Sequence, residues 1–114
     1  MPVAQLRVSV PFLALLCAIQ LGACSDGLES NCDQLCDVAA DCRNISERIC
    51  RDDCEAFFDL GRAFSRDCED AISERNACVG DLDCAEYFEW FTRTPPLDYA
   101  CRSYDEDVID ECLF

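Results

Sequence analysis

The chain has 114 residues, twelve of them cysteine, and its 24 acidic side chains face nine basic ones for a net charge of -15. That length admits one small domain, and that cysteine density belongs to disulfide scaffolds of oxidising compartments rather than to reduced cytosolic proteins. The charge excludes nucleic acid and electrostatic attraction to anionic lipid; it favours a basic protein or a cation as partner, beside the plainer reading that an acidic surface keeps an exported domain soluble.

Residues 1–7 hold one basic side chain, Arg7, and an apolar run follows from Val8 to Leu21. This is the layout of a signal peptide. At 14 residues the run is shorter than the roughly 20 needed to cross a bilayer as a helix, and no permanent span is expected. The run ends in Leu21-Gly22-Ala23-Cys24, which resembles the lipobox of bacterial lipoproteins. The resemblance implies a signal peptide over 1–23 that is cut before Cys24, a diacylglycerol on the Cys24 thiol, and an acyl chain such as palmitate on the new amine. Two or more chains anchor firmly where one is marginal, because each buried methylene contributes about 0.8 kcal/mol. Ser25, rather than aspartate, follows the cysteine; by resemblance to enterobacterial sorting this implies the outer membrane.

The rival is ordinary secretion with cleavage after Ala23, against which stands Leu21, three residues before the cut where a small residue is preferred. Parity points the same way. Setting Cys17 and Cys24 aside leaves ten cysteines, an even number, whereas ordinary secretion would leave an odd thiol. Residues 24–31 then read as lipid anchor and short polar tether, with Gly27 near its middle, and 32–114 as the cysteine-rich domain.

Helix-start signals recur from there on, each a capping residue followed three positions later by an acid: Ser30 with Asp33, Asn44 with Glu47, Asp83 with Glu86, and Ser103 with Glu106. Ser65 before Asp67 and Glu69 is a weaker fifth. Helices are expected over 31–40, 45–63, 66–78, 84–92 and 104–112. Apolar residues at intervals of three or four support them: Ile45, Ile49, Ala56, Phe57, Leu60 and Phe64 in the second, Cys68, Ala71, Ile72 and Val79 in the third, and Cys84, Tyr87, Phe88 and Phe91 in the fourth. Thr94-Pro95-Pro96 stops the fourth helix. No strand-like alternation is present, so the expected fold is all-α, a small disulfide-stapled bundle or array of about five short helices.

Cys32 and Cys36, and again Cys50 and Cys54, lie four apart, which puts both thiols of each pair on one helix face. The arrangement resembles the twin Cys-x3-Cys helical hairpin, and the resemblance implies that Cys36 pairs with Cys50 and Cys32 with Cys54. Cys42, in the intervening turn, departs from that motif and competes for a partner. If the third helix runs antiparallel to the second, Cys78 approaches Cys42, leaving Cys68, Cys84, Cys101 and Cys112 to pair among themselves. Ten cysteines leave many pairings open. Metal binding and thiol redox chemistry both favour a two-residue spacer that no pair here shows, so no metal or other cofactor is expected.

Catalysis is not expected either. The chain has no histidine, and its nine basic residues are all arginine, so the usual activators of a nucleophile are missing. Carboxylate pairs could hydrolyse glycosides, but on so acidic a surface such pairs arise by chance. Asp105-Glu106-Asp107 with Asp110 and Glu111, and Asp81 with Asp83, lack the spacing and central glycine of a calcium loop and read as solvated faces. Tyr87, Phe88, Trp90 and Phe91 exceed one helical face, so at least one ring, Trp90 by expectation, points away from the core; such a ring can mark a partner contact, and core or inter-helix packing is the favoured explanation of the cluster. In overall plan the chain looks like the small cysteine-rich lipoproteins of deltaproteobacteria such as myxobacteria. That likeness implies a non-enzymatic, membrane-anchored binding or structural module of the cell envelope. A freely secreted eukaryotic effector or signalling protein, glycosylated at the Asn44-Ile45-Ser46 sequon, is the alternative.

Overall fold

A computed structural model describes residues 28–93 and 98–113. The signal peptide, Cys24, the first part of the tether and the Thr94-Pro95-Pro96 stop lie outside the described residues. Five helices follow in order: α1 (Cys32–Arg43), α2 (Glu47–Phe64), α3 (Arg66–Gly80), α4 (Cys84–Thr92) and α5 (Arg102–Cys112), with no strand among the described residues. The domain is all-α.

Local chemistry sets most helix starts. Ser65 accepts a hydrogen bond from the Cys68 amide at the start of α3, and Asp83 forms a full capping box with Glu86 at the start of α4. The α2 cap is Ser46, which accepts from the Ile49 amide, rather than the expected Asn44. Asn44 instead closes α1 in the left-handed conformation, its amide donating to the Ala40 carbonyl, a place where asparagine is tolerated better than most residues. Nor does Ser103 cap α5, which begins at Arg102, two residues earlier than expected, behind a left-handed Cys101. Before α1, Asn31 also takes the left-handed conformation and spends its side-chain amide on α3, donating to the Ser73 carbonyl and hydroxyl at 3.0 Å each.

The end of the tether is therefore part of the domain. Ser73 donates to the Glu29 carbonyl, Asn76 donates to the Ser30 carbonyl, and Leu28 packs on the core. Asn76 is fully buried, and its amide needs such acceptors to offset the loss of water.

Helix α3 is the central element, packed against α1, α2 and α5, while α1 also meets α2 and α4. Two apolar clusters result. One joins Leu35, Cys36 and Ala39 of α1 to Val79, Tyr87, Trp90 and Cys101. The other joins Phe58 to Cys68, Ala71, Ile72, Val108 and Cys112 across α2, α3 and α5.

The apolar stripe anticipated for α2 does not coincide with its buried face: Phe58 and Gly61 are buried, whereas Ile49, Leu60 and Phe64 are exposed. The reason lies in the sulfurs. Cys50 and Cys54 must face α1, and residues a further turn or two along that face are Phe57, Phe58 and Gly61.

All ten cysteines of the described residues are bonded. Cys32 joins Cys54 and Cys36 joins Cys50, each with Cα atoms 5.7 Å apart, the same pairs that the hairpin resemblance implies. The expected Cys42–Cys78 bond is corrected: Cys42 joins Cys84, and Cys78 joins Cys101. Cys68 joins Cys112, so only two of the four cysteines expected to pair among themselves do so. Cys42 is the last residue but one of α1, and α1 packs against α4, whose first residue reaches it; Cys78, two residues before the end of α3, is bonded to Cys101 in the segment leading into α5.

Candidate functional site

An open groove of about 650 Å³ lies where α1, α2, α3 and α4 meet. Its apolar lining comes from Leu35 of α1, Ile45 of the following turn, Ile49 and Phe57 of α2, and Trp90 of α4, with the Cys50 and Cys54 sulfurs in the wall. Three charged residues border it: Arg43, Arg75 and Asp53. The size falls within the roughly 300–1,000 Å³ usual for small-ligand pockets, and an apolar lining with a few charged groups is their usual composition. Ile49, exposed on α2, lies on this lining beside the disulfide-bonded Cys50.

Behind the groove stands a buried charge network centred on Asp105, whose side chain is 6% exposed. Its carboxylate accepts hydrogen bonds from Trp90 Nε1 at 3.2 Å and the Tyr99 hydroxyl at 2.9 Å, and pairs with Arg75 and Arg93, each at 3.5 Å. Burial pushes the Arg75 guanidinium down from its ordinary value, and the adjacent Asp105 charge opposes that shift. Burial, and then the hydrogen bond to Asp105, raise the Tyr99 hydroxyl above its ordinary value. The Arg75 guanidinium carbon also lies 5.7 Å from the Phe57 and Trp90 ring centres, and that of Arg93 lies 5.0 Å from Trp90.

Arg43 is held differently. Its guanidinium lies 4.0 Å from the centre of the Phe91 ring and donates to the Tyr87 hydroxyl at 3.5 Å. Among the described residues it makes no ion pair, in a chain with 24 acidic side chains. Phe91 stacks in turn on Tyr87, with ring centres 6.0 Å apart and planes 14° from parallel.

Two expectations from the sequence change here. Trp90, expected to point outward, is 8% exposed and belongs to the core; the outward rings are Phe88 and Phe91. The indole N–H finds Asp105 inside, which removes the penalty that would keep Trp90 at the surface. Asp105, read as part of a solvated acidic face, is the buried hub. The missed signal was its spacing with Val108 and Cys112, which places all three on the buried side of α5, below the buried Cys101 that precedes the helix. Its neighbours Glu106, Asp107, Asp110 and Glu111 are exposed, as are Asp81 and Asp83. Asp107 and Glu111 line a shallow hollow of about 320 Å³ with Asp67, Asp70 and Glu74 of α3. Among the described residues no grouping of cysteines and carboxylates has a metal-binding arrangement.

Comparison with protein-family models, with curated proteins and with solved structures gave no match to this chain. Fold and groove together define a class, a small all-α domain stapled by five disulfides. So many bonds in so short a chain point to an oxidising, exported environment.

Proposed function

We propose that the protein is a non-enzymatic module of the bacterial cell envelope, lipid-anchored through Cys24 in the outer membrane, that presents the α1–α4 groove for binding. The supporting observation is the closure of all ten cysteines from Cys32 to Cys112 among themselves. None of them is left to take up Cys24, whose place after Leu21-Gly22-Ala23 resembles that of a lipidated cysteine. The docking of residues 28–31 onto α3 keeps the tether short, so an anchored domain sits close to the membrane surface. Within the groove, Ser46 is occupied as a helix cap and, among the described residues, Asp53 is the one carboxylate of the lining, a set suited to holding a ligand rather than activating a nucleophile.

A second reading, free secretion with a glycan, is favoured by the exposure of Asn44 at the end of α1. Intact mass of the exported protein separates the two, since both predict five disulfides but one predicts acyl mass and the other sugar. Cys24→Ala is expected to abolish incorporation of labelled fatty acid; incorporation that persists in the variant rules out the anchor at this residue.

A further inference from the structure

We infer that the groove receives an amphipathic organic anion, an alkyl or aryl carboxylate whose apolar body lies on Leu35, Ile49, Phe57 and Trp90 and whose head group meets the Arg43 guanidinium. This rests on reading the groove as the module's binding site, and adds the ligand class. The apolar lining gains little from a bare inorganic anion, which leaves its hydrophobic surface in water. A neutral hydrocarbon would cover that surface but leave Arg43 unmatched. Arg43 lies on the groove with a ring and a phenol as partners and no carboxylate. Arg75, the second guanidinium of the lining, pairs with the buried Asp105 carboxylate, which Arg93, half exposed and outside the lining, also reaches. Asp53 is the carboxylate of the lining, and it makes no ion pair with Arg43. The lining thus carries two guanidinium groups against one carboxylate on a molecule of net charge -15, and apolar walls strengthen the attraction of Arg43 for an anion. The acidic surface disfavours anions where no apolar lining accompanies an arginine, so the pairing of the two at the groove favours an anion with an apolar body.

Trp90 is the only tryptophan of the chain and borders the groove, so energy transfer from it to dansyl-aminoundecanoic acid reports occupancy. The probe is the acid itself, compared with its alcohol and amine analogues. The protein is used as the cell exports it, in zwitterionic nanodiscs if it carries lipid and in buffer if it does not, which separates this test from that of the anchor. Saturable transfer is expected with the acid, and at least about tenfold weaker binding with the alcohol and the amine, the scale of one hydrogen bond to a charged group. Arg43→Gln, at an exposed position, is expected to weaken the acid about tenfold, and Arg43→Lys to restore part of the loss. Equal binding of acid and alcohol, unchanged in Arg43→Gln, overturns the anion assignment and leaves the groove as a site for uncharged apolar ligands. Absence of saturable transfer from all three probes overturns both the assignment and the reading of the groove as a binding site.

Discussion

Asp105 shows how one side chain ties a small domain together. It sits on α5, yet its carboxylate is held by Arg75 of α3, Trp90 of α4, Arg93 just past α4, and Tyr99 of the loop before α5. Burying a carboxylate costs several kcal/mol, by order of magnitude, and this one is offset only because every partner is present. Removing its charge leaves Arg75, 13% exposed at the side chain, without compensation. Asp105→Asn is therefore expected to lower unfolding free energy by about 3 kcal/mol, against well under 1 kcal/mol for Asp107→Asn on the exposed side of the same helix. Urea titration followed by Trp90 fluorescence measures both. Equal effects from the two substitutions would show that the network does not bear on stability.

At the scale of elements, two glycines set how closely helices approach α3. A Cβ on Gly80 would lie 2.6 Å from the Gln34 Cβ and 3.1 Å from the Gln34 backbone carbon, so α1 itself would have to move. A Cβ on Gly61 would meet chiefly the Ile72 Cδ1, the far end of a side chain that can turn away. Alanine gains up to about 1 kcal/mol over glycine in a helix, while overpacking costs about 1–3 kcal/mol. For Gly80→Ala the backbone clash is expected to prevail, lowering the urea midpoint with little change in slope, and for Gly61→Ala the net effect is expected to be smaller. A Gly80→Ala protein more stable than the parent would show that α1 and α3 are not in contact there. Caps act on the same scale: Ser46, Ser65 and Asp83 each satisfy an amide that a helix end leaves free, so α2, α3 and α4 begin where they do for local reasons.

At the scale of the molecule, the disulfides turn five short helices into one body. A domain of this size buries too little apolar surface to be secure by packing alone, and each cross-link contributes about 2–4 kcal/mol, chiefly by restricting the unfolded chain. Cys42–Cys84 closes a separation of 42 residues and fastens α4, and with it Trp90 and the wall of the groove, to the end of α1. Non-reducing peptide mapping is expected to recover Cys42 linked to Cys84. Replacing both by serine is expected to cost about 2–4 kcal/mol of unfolding free energy. Recovery of a Cys42–Cys78 peptide instead would refute this connectivity.

Helix number, helix type and the twin cysteine spacing were all legible in the chain, because capping residues and three-to-four periodicity act between near neighbours. Pairing of Cys42 and Cys78, the inward turn of Trp90, the burial of Asp105 and the exposure of Ile49 were not. Each depends on which face of a helix meets which neighbour, a choice made by contacts between residues far apart in sequence. The groove belongs to that second group, since four helices contribute to it and the sulfur bonds to α1 place the Cys50 and Cys54 side of α2, with Ile49 and Phe57 beside it, along its wall.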